Sequence, residues 1–547
     1  MNSSDKLRAL SEEFVEVSFR LEPVTATLMG IHDYDALYPN DTPEGFEERL
    51  GWVRDFESRL DASVALEELA AVQRVDLALL RSRIAAMRIR LESIREHSKN
   101  PARFPETAMM GVFLLYARPF APLDERKEAL LERLMGIPAY LEGAQRTIER
   151  APELFAKVAA EVNLTGPSFV DEIARGMTRS FPAEAEHIEF AAARARVGFS
   201  HYQEFLEKDL AARIGGSHAI GEPAMNDLLA REHLLGRTAA EIEAIGLEHI
   251  ERTREQLAGE ARRADPSRDW RQQVADAKRR HPEAARVRDV YVSETERARR
   301  FVLDRKIAPI PAGSLEILDT PVFERPFIPY ATYVSPGPFD VDQTGLFYVT
   351  PIDRSRSREE QLEQLEGHNS ATIPLVVLHE SYPGHHLQRL HANRAPTRIR
   401  QLAESPFFVA GWTLYCEEMM WEQGFFEDPA SRLIQLKDLL FRVCRAVIDV
   451  RLHTGRMEVD RAVDCLVEDA LLERSSALAE VRRYALTPTL PMGYLVGKLD
   501  LLAIRDEARR RLGDRFSLHD FHAGLLAGGA LPPSLVRDEL WERVGAT

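Results

Sequence analysis

Three histidines and a glutamate fall within eight residues, His379-Glu380-Ser381-Tyr382-Pro383-Gly384-His385-His386. Imidazole is the commonest protein ligand for metals, and a neighbouring carboxylate can serve as base for a zinc-activated water. In a zinc helix of the form His-Glu-x-x-His the two histidines are four residues apart and share one face. Here Pro383 occupies the place of the second histidine, and the next two histidines follow six and seven residues after His379. On a straight helix, six residues turn His385 about 120° away from His379, and His386 returns to the face only about 10 Å further along the axis. Neither can share a metal with His379 in that geometry. Pro383, however, cannot donate to the carbonyl of His379 and would clash with it, and Gly384 accepts backbone angles closed to other residues. A two-residue bulge at Pro383-Gly384 is therefore expected, which leaves His-Glu-Ser-Tyr-His at ordinary spacing. On this reading His379 and His385 are the metal ligands, with His386 as the fallback and Glu380 as general base. The competing reading is a helix break whose histidines make only local hydrogen bonds.

The elements that must position this segment are legible in part. Thr372-Ile373-Pro374 reads as a helix start, with Thr372 as N-cap and proline in the first turn, and Leu375–Leu378 is apolar enough to be buried. The stretch 316–352 differs from its surroundings in its proline, aromatic and β-branched content. Pro326-Phe327-Ile328-Pro329-Tyr330 and Gly345-Leu346-Phe347-Tyr348-Val349-Thr350 read as short strands around a turn at Ser335-Pro336-Gly337-Pro338. The second of these strands could pair with an extended peptide, with Tyr348 as a substrate contact. Residues 353–369 are expected to form a loop or short helix.

Elsewhere helical periodicity dominates. Thr238-Ala239-Ala240-Glu241 has the capping-box form, and Asp428-Pro429 opens a helix whose core stripe is Leu433, Leu436, Leu440, Val443 and Val447. The expected architecture is one mainly α-helical domain spanning 1–547. It divides into a helical N-terminal lobe (1–315), the small β-element (316–352) and a helical lobe carrying the metal site (353–547), with a deep cleft.

Composition narrows the function class. With 71 basic and 87 acidic residues the net charge is −16, which argues against nucleic-acid binding, since that needs cations to displace counterions. The three cysteines, Cys416, Cys444 and Cys465, are too few for a disulfide framework, and the start of the chain lacks an apolar leader. No apolar run approaches the roughly 20 residues of a membrane span. A cytoplasmic protein without a membrane partner is expected, and no feature specifies an oligomeric state.

The histidine segment, continued through Leu387-Gln388, resembles the signature of the bacterial "domain of unknown function 885" family. Other blocks resemble it in the same order. They are Pro23–Gly30, Gly345–Val349, Gly411-Trp412-Thr413-Leu414-Tyr415-Cys416-Glu417, the polar stripe Arg442, Arg445, Asp449 and His453, then Tyr494, Gly497, and Phe521-His522 through Gly528–Pro532. The resemblance implies a mostly helical fold like that of zinc peptidases of the His-Glu-x-x-His type, near thimet oligopeptidase and carboxypeptidase Taq. It further implies a Zn2+ cofactor, a peptide or small amide substrate, and a late tyrosine, Tyr494, that donates to the developing oxyanion.

The departures bear on activity. The related peptidases take a third zinc ligand from a glutamate about 25 residues past the second histidine, and that place, 25 residues after His385, is Ala410. Glu417, seven residues further along, is a weaker candidate ligand. The family's Pro-Gly-Gln-Ala block reads Pro488-Thr489-Leu490-Pro491, and the Asn usual after its strand is Thr350. A degenerate member, acting as a binding protein or on a non-peptide small molecule, is the alternative to a zinc hydrolase. Arg442, Arg445, Asp449 and His453 recur at steps of three, four and four, so they share one helix face. They could hold a substrate carboxylate or form a structural network. His522 and Cys416 read more naturally as packed residues than as site residues.

Overall fold

A computed structural model describes residues 2–321, 325 and 328–545. The chain is mainly α-helical with one small three-stranded sheet. Among the described residues no helix is long and apolar enough to cross a membrane.

The chain folds as two compact units. One comprises Met1–Glu232 together with Gly337–Asp342, and the other His233–Pro336 with Gln343–Thr547. In the first unit the long helices Leu123–Thr147, Glu153–Ser180 and Ala185–Glu204 pack side by side. Close packing demands glycine here: a Cβ on Gly198 would lie 2.9 Å from the Cα of Pro138. The short helix Pro23–Met29 ends on Gly30 with φ 87°, a left-handed cap that favours glycine. Asp340, in the segment returned to this unit, accepts from the backbone N–H of Gly337 at 2.6 Å and pairs with Arg118.

The second unit holds the sheet and the histidine segment. Strand β1 (Leu315–Asp319) runs parallel to β3 (Gly345–Val349), and β2 (Ala331–Val334) runs antiparallel to it, in the order β1-β3-β2. The anticipated strand at Gly345–Thr350 forms but is the central strand, buried along its whole length. Both its edges are taken, so the expectation that it pairs with an extended peptide is corrected: a fully laddered strand has no free N–H and C=O row to offer. Of the other anticipated strand, Pro326 and Phe327 lie outside the described residues. Ile328–Tyr330 are not in a strand, and pairing begins at Ala331. Residues 353–369 contain the helix Arg358–Gly367, capped by Ser357 and Glu360.

Two of the helix starts behave as the sequence implies. Thr238 and Glu241 form the capping box of Ala239–Ala264, and Asp428 caps Pro429–His453. All five stripe residues of the latter helix are buried, and it packs against Ala239–Ala264. The start before His379 differs. Thr372 makes no side-chain cap, because its hydroxyl is held by the Asn369 amide at 2.8 Å. Asn369 does the capping instead, accepting from the backbone N–H groups of Ala371 and Thr372 at 3.0 and 2.9 Å.

The helices Pro406–Glu422 and Gly493–Leu512 form the most extensive helix pair in this unit. They cross at Gly411 and Gly497, where a Cβ on Gly497 would stand 1.8 Å from the carbonyl oxygen of Phe407. The backbones touch, and this crossing fixes the two elements that carry Glu417 and Tyr494.

Candidate metal and acid-base site

The helix Ile373–Glu380 ends just after His379, and a new helix, His385–Ala392, begins five residues later. The expected bulge is therefore a complete break at Ser381–Gly384. Its sharpness depends on Gly384, whose hypothetical Cβ would lie 2.0 Å from the carbonyl oxygen of His379 and 2.3 Å from that of Leu378. No residue with a side chain fits that approach. The break is pinned from the Pro406–Glu422 helix: Trp412 donates its indole N–H to the carbonyl of Pro383 at 2.9 Å, and the thiol of Cys416 makes a weaker contact with the same oxygen at 3.7 Å. Cys416 is fully buried and serves the break rather than a ligand site.

The break does what a straight helix could not. The rings of His379 and His385 come to 5.0 Å between centres, at 80° to each other. His386 turns away. It is fully buried, with Nδ1 on the hydroxyl of Tyr333 and Nε2 on that of Tyr382, both at 3.1 Å. Both its nitrogens are occupied in joining β2 to the break, so the histidine facing His379 is His385.

Behind His379 lies Glu417, 3% exposed. Its Oε1 accepts from Nδ1 of His379 at 2.8 Å. A carboxylate in that position fixes the tautomer and leaves Nε2 as the lone-pair nitrogen. Burial, and next the charges of Arg442 and Arg445, hold His379 well below the usual histidine range, and burial does the same to His385, followed by His379 itself. Both imidazoles are thus neutral at pH 7, the form that binds metal or accepts a proton. Burial pushes Glu380 up to about 7, opposed by the backbone N–H of Tyr333 and by Arg442. Burial likewise pushes Glu417 up to about 7, opposed mainly by Arg442. Two carboxyl groups poised near neutrality beside two neutral imidazoles are an acid-base constellation.

Tyr494 stacks at 6.3 Å from the ring of His379. Arg442 and Arg445 lie over the ring of this tyrosine. His453 and Asp449, from the same stripe, are not brought to the histidine pair. Both are fully buried. His453 donates to the carbonyl of Tyr484 at 3.0 Å, and Asp449 accepts from the backbone N–H groups of Thr489 and Met492, both at 3.3 Å. They anchor the turn that leads into the Tyr494 helix, so this end of the stripe is structural. Tyr348 also lies apart. Side chains alternate along a strand, and a Cβ on Gly345 would point at His386, so Tyr348 belongs to the opposite face of the sheet. His522 is packed as expected, with one nitrogen on the hydroxyl of Tyr415 and the other on the carbonyl of Ile307, both at 2.7 Å.

Two residues of this segment and its neighbouring strand were given no role by the sequence. Tyr333 holds Glu380 through its backbone and His386 through its hydroxyl; its only sequence signal is a β-branched neighbourhood. Gln388, 1% exposed, lies one turn after His385, and neither atom of its amide has a hydrogen-bond partner.

The donor set can be tested against zinc. Two imidazoles sharing a tetrahedral zinc at about 2.0–2.1 Å from each nitrogen have ring centres about 5 Å apart, and the pair here stands at 5.0 Å. In kind, charge state and spacing the two histidines fit. A third ligand is not gathered: among the described residues no group of three His, Cys, Asp or Glu side chains could hold a metal ion.

No curated protein matches this sequence. The solved structures that share the fold include two putative lipoproteins. The first is "a putative lipoprotein of unknown function from Shewanella oneidensis", with TM-score 0.81 and 22% identity, covering 96% of this chain and 98% of that one. The second is "the putative lipoprotein from Colwellia psychrerythraea", with TM-score 0.85 and 18% identity, covering both chains completely. At such identities the likeness concerns the fold alone. A family model described as "Bacterial protein of unknown function (DUF885)" matches residues 23–540, nearly the whole chain, and the protein belongs to that family.

Proposed function

We propose that the protein is a metal-dependent hydrolase of amide bonds, acting on a peptide or a small amide, with Zn2+ held by His379 and His385. The observation that carries the reading is the 5.0 Å separation of two neutral imidazoles on either side of a helix break. When bound, zinc would polarise the substrate carbonyl and acidify water. The remaining roles belong to the chain. Glu380 follows His379 directly and takes the proton of the attacking water, with the N–H of Tyr333 holding its carboxylate in place. Tyr494, stacked beside His379, offers its hydroxyl to the developing oxyanion. Glu417 holds His379 in the ligating tautomer. A cytoplasmic location is proposed with it, since all three cysteines are free.

A second reading has its own observation, the alanine at 410. With two protein ligands in place of three, the fold could serve as a binding protein or act on a non-peptide molecule. Zinc content separates the two. Protein purified without added metal and then titrated with zinc is expected to take up one ion per chain, and His379→Ala to take up none. Ala410→Glu is expected to tighten binding about tenfold or more, because even partners outside the ligand set are worth about 10–100-fold. For the same reason Glu417→Ala is expected to weaken zinc binding about 10–100-fold. Wild-type protein that binds no zinc at any concentration would remove the hydrolase reading and leave the binding protein.

A further inference from the structure

Arg442 and Arg445 stand one turn apart on the helix Pro429–His453, and both guanidinium groups lie over the ring of Tyr494, at 5.4 and 4.6 Å from its centre. Among the described residues neither guanidinium makes a hydrogen bond to a carboxylate. Arg442 is 3.8 Å from Glu417, which is committed to His379, and reaches the carbonyl of Asp438 only at 3.4 Å. Arg445 is 5% exposed, and its ionic neighbour among the described residues is Glu480 at 3.5 Å. That carboxylate already accepts from the hydroxyl of Tyr484 at 2.6 Å and from Arg483 at 2.7 Å. The buried Nε atoms of both arginines have no hydrogen-bond partner. Among the described residues the guanidinium of Arg445 makes no hydrogen bond at all.

A buried guanidinium with unused donors is costly unless something completes it. Arginine meets a planar carboxylate with paired N–H bonds, and an anion between two such groups would satisfy both. Tyr494 ties this anion site to the imidazole pair, because the same ring stacks beside His379. We infer that Arg442 and Arg445 anchor a free carboxylate of the ligand, so that the site takes the C-terminal end of a peptide or a small N-acyl amino acid. The cleavage position rests on the hydrolase reading; the carboxylate anchor does not.

Calorimetric titration of the intact protein with N-benzoylglycine, N-benzoylglycinamide and inorganic phosphate tests the anchor without requiring turnover. The acid is expected to bind about 10–100-fold more tightly than the amide, the range of a charge-assisted hydrogen-bond pair, and more tightly than phosphate. Arg442→Gln, at a half-buried position whose folding is checked by its Tm, is expected to bring acid and amide to parity. Equal binding of acid and amide, tighter binding of phosphate, no binding of the acid, or a preference that survives in Arg442→Gln would each overturn the inference. Hydrolysis of N-benzoylglycyl-phenylalanine and of its C-terminal amide is measured alongside. No hydrolysis of either, with the binding preference intact, sinks the hydrolase reading and keeps the anchor. Equal hydrolysis of both, with no binding preference, does the reverse.

Discussion

Glu380→Gln is expected to lower amide hydrolysis about 10²–10⁴-fold, the contribution of a positioned general base, while zinc content and Tm stay at wild-type values. Gln keeps the size of the side chain and an oxygen that can still accept from the N–H of Tyr333, so the local packing survives. What it loses is the ability to take a proton. The measurement is kcat on a peptide substrate for zinc-loaded protein, paired with metal analysis of the same sample. A variant that keeps its zinc and also its rate would remove Glu380 from the chemistry. If zinc is lost along with the rate, the residue is supporting the histidine pair instead.

Gly497→Ala is expected to destabilise the His379-bearing unit by about 3 kcal/mol or more, at or above the upper end of ordinary overpacking. The reason is what the added methyl group meets: a backbone carbonyl oxygen 1.8 Å away, which cannot rotate aside as a side chain would. The helices Pro406–Glu422 and Gly493–Leu512 would have to separate, moving Glu417 and Tyr494 away from His379 together. Gly259→Ala is the control. It lies within the helix Ala239–Ala264 with nothing within 4 Å of the added atom, so it is expected to be neutral or stabilising by up to about 1 kcal/mol. Thermal unfolding of both variants followed by circular dichroism makes the comparison. Equal Tm values for the two would show that the helix crossing relaxes without cost.

Some of the site was legible because it rests on local chemistry. Proline at 383 forbids a continuous helix whatever surrounds it, so a distortion that could bring His379 to His385 followed from spacing alone. The helix starts at Thr238 and Asp428 were legible for the same reason, since a cap is a bond between residues two or three apart. Thr372 misled because Asn369, three residues upstream, holds its hydroxyl and starts the turn earlier by accepting from the N–H groups of Ala371 and Thr372. The strand at Gly345–Val349 was readable from its composition. Its central position was not, because an all-apolar run does not say whether its edges are paired by neighbours or left for a ligand.

The polar stripe shows the same boundary. Periodicity placed Arg442, Arg445, Asp449 and His453 on one helix face, and they are there. That face is long enough to meet different neighbours at its two ends. At one end stand Tyr494 and Glu417; at the other, the backbone of Tyr484, Thr489 and Met492.

By itself the sequence determined the helical class, the break in the histidine segment and the pair of residue types able to bind a metal, all consequences of bonds and clashes within a few residues. Only the tertiary structure decided that His385 and not His386 faces His379, that Glu417 stands behind the pair, and that two arginines share the ring of Tyr494. Those outcomes depend on which distant helices can approach to backbone contact, at Gly411 and Gly497 above all, and such an approach is a property of two surfaces meeting rather than of either segment alone.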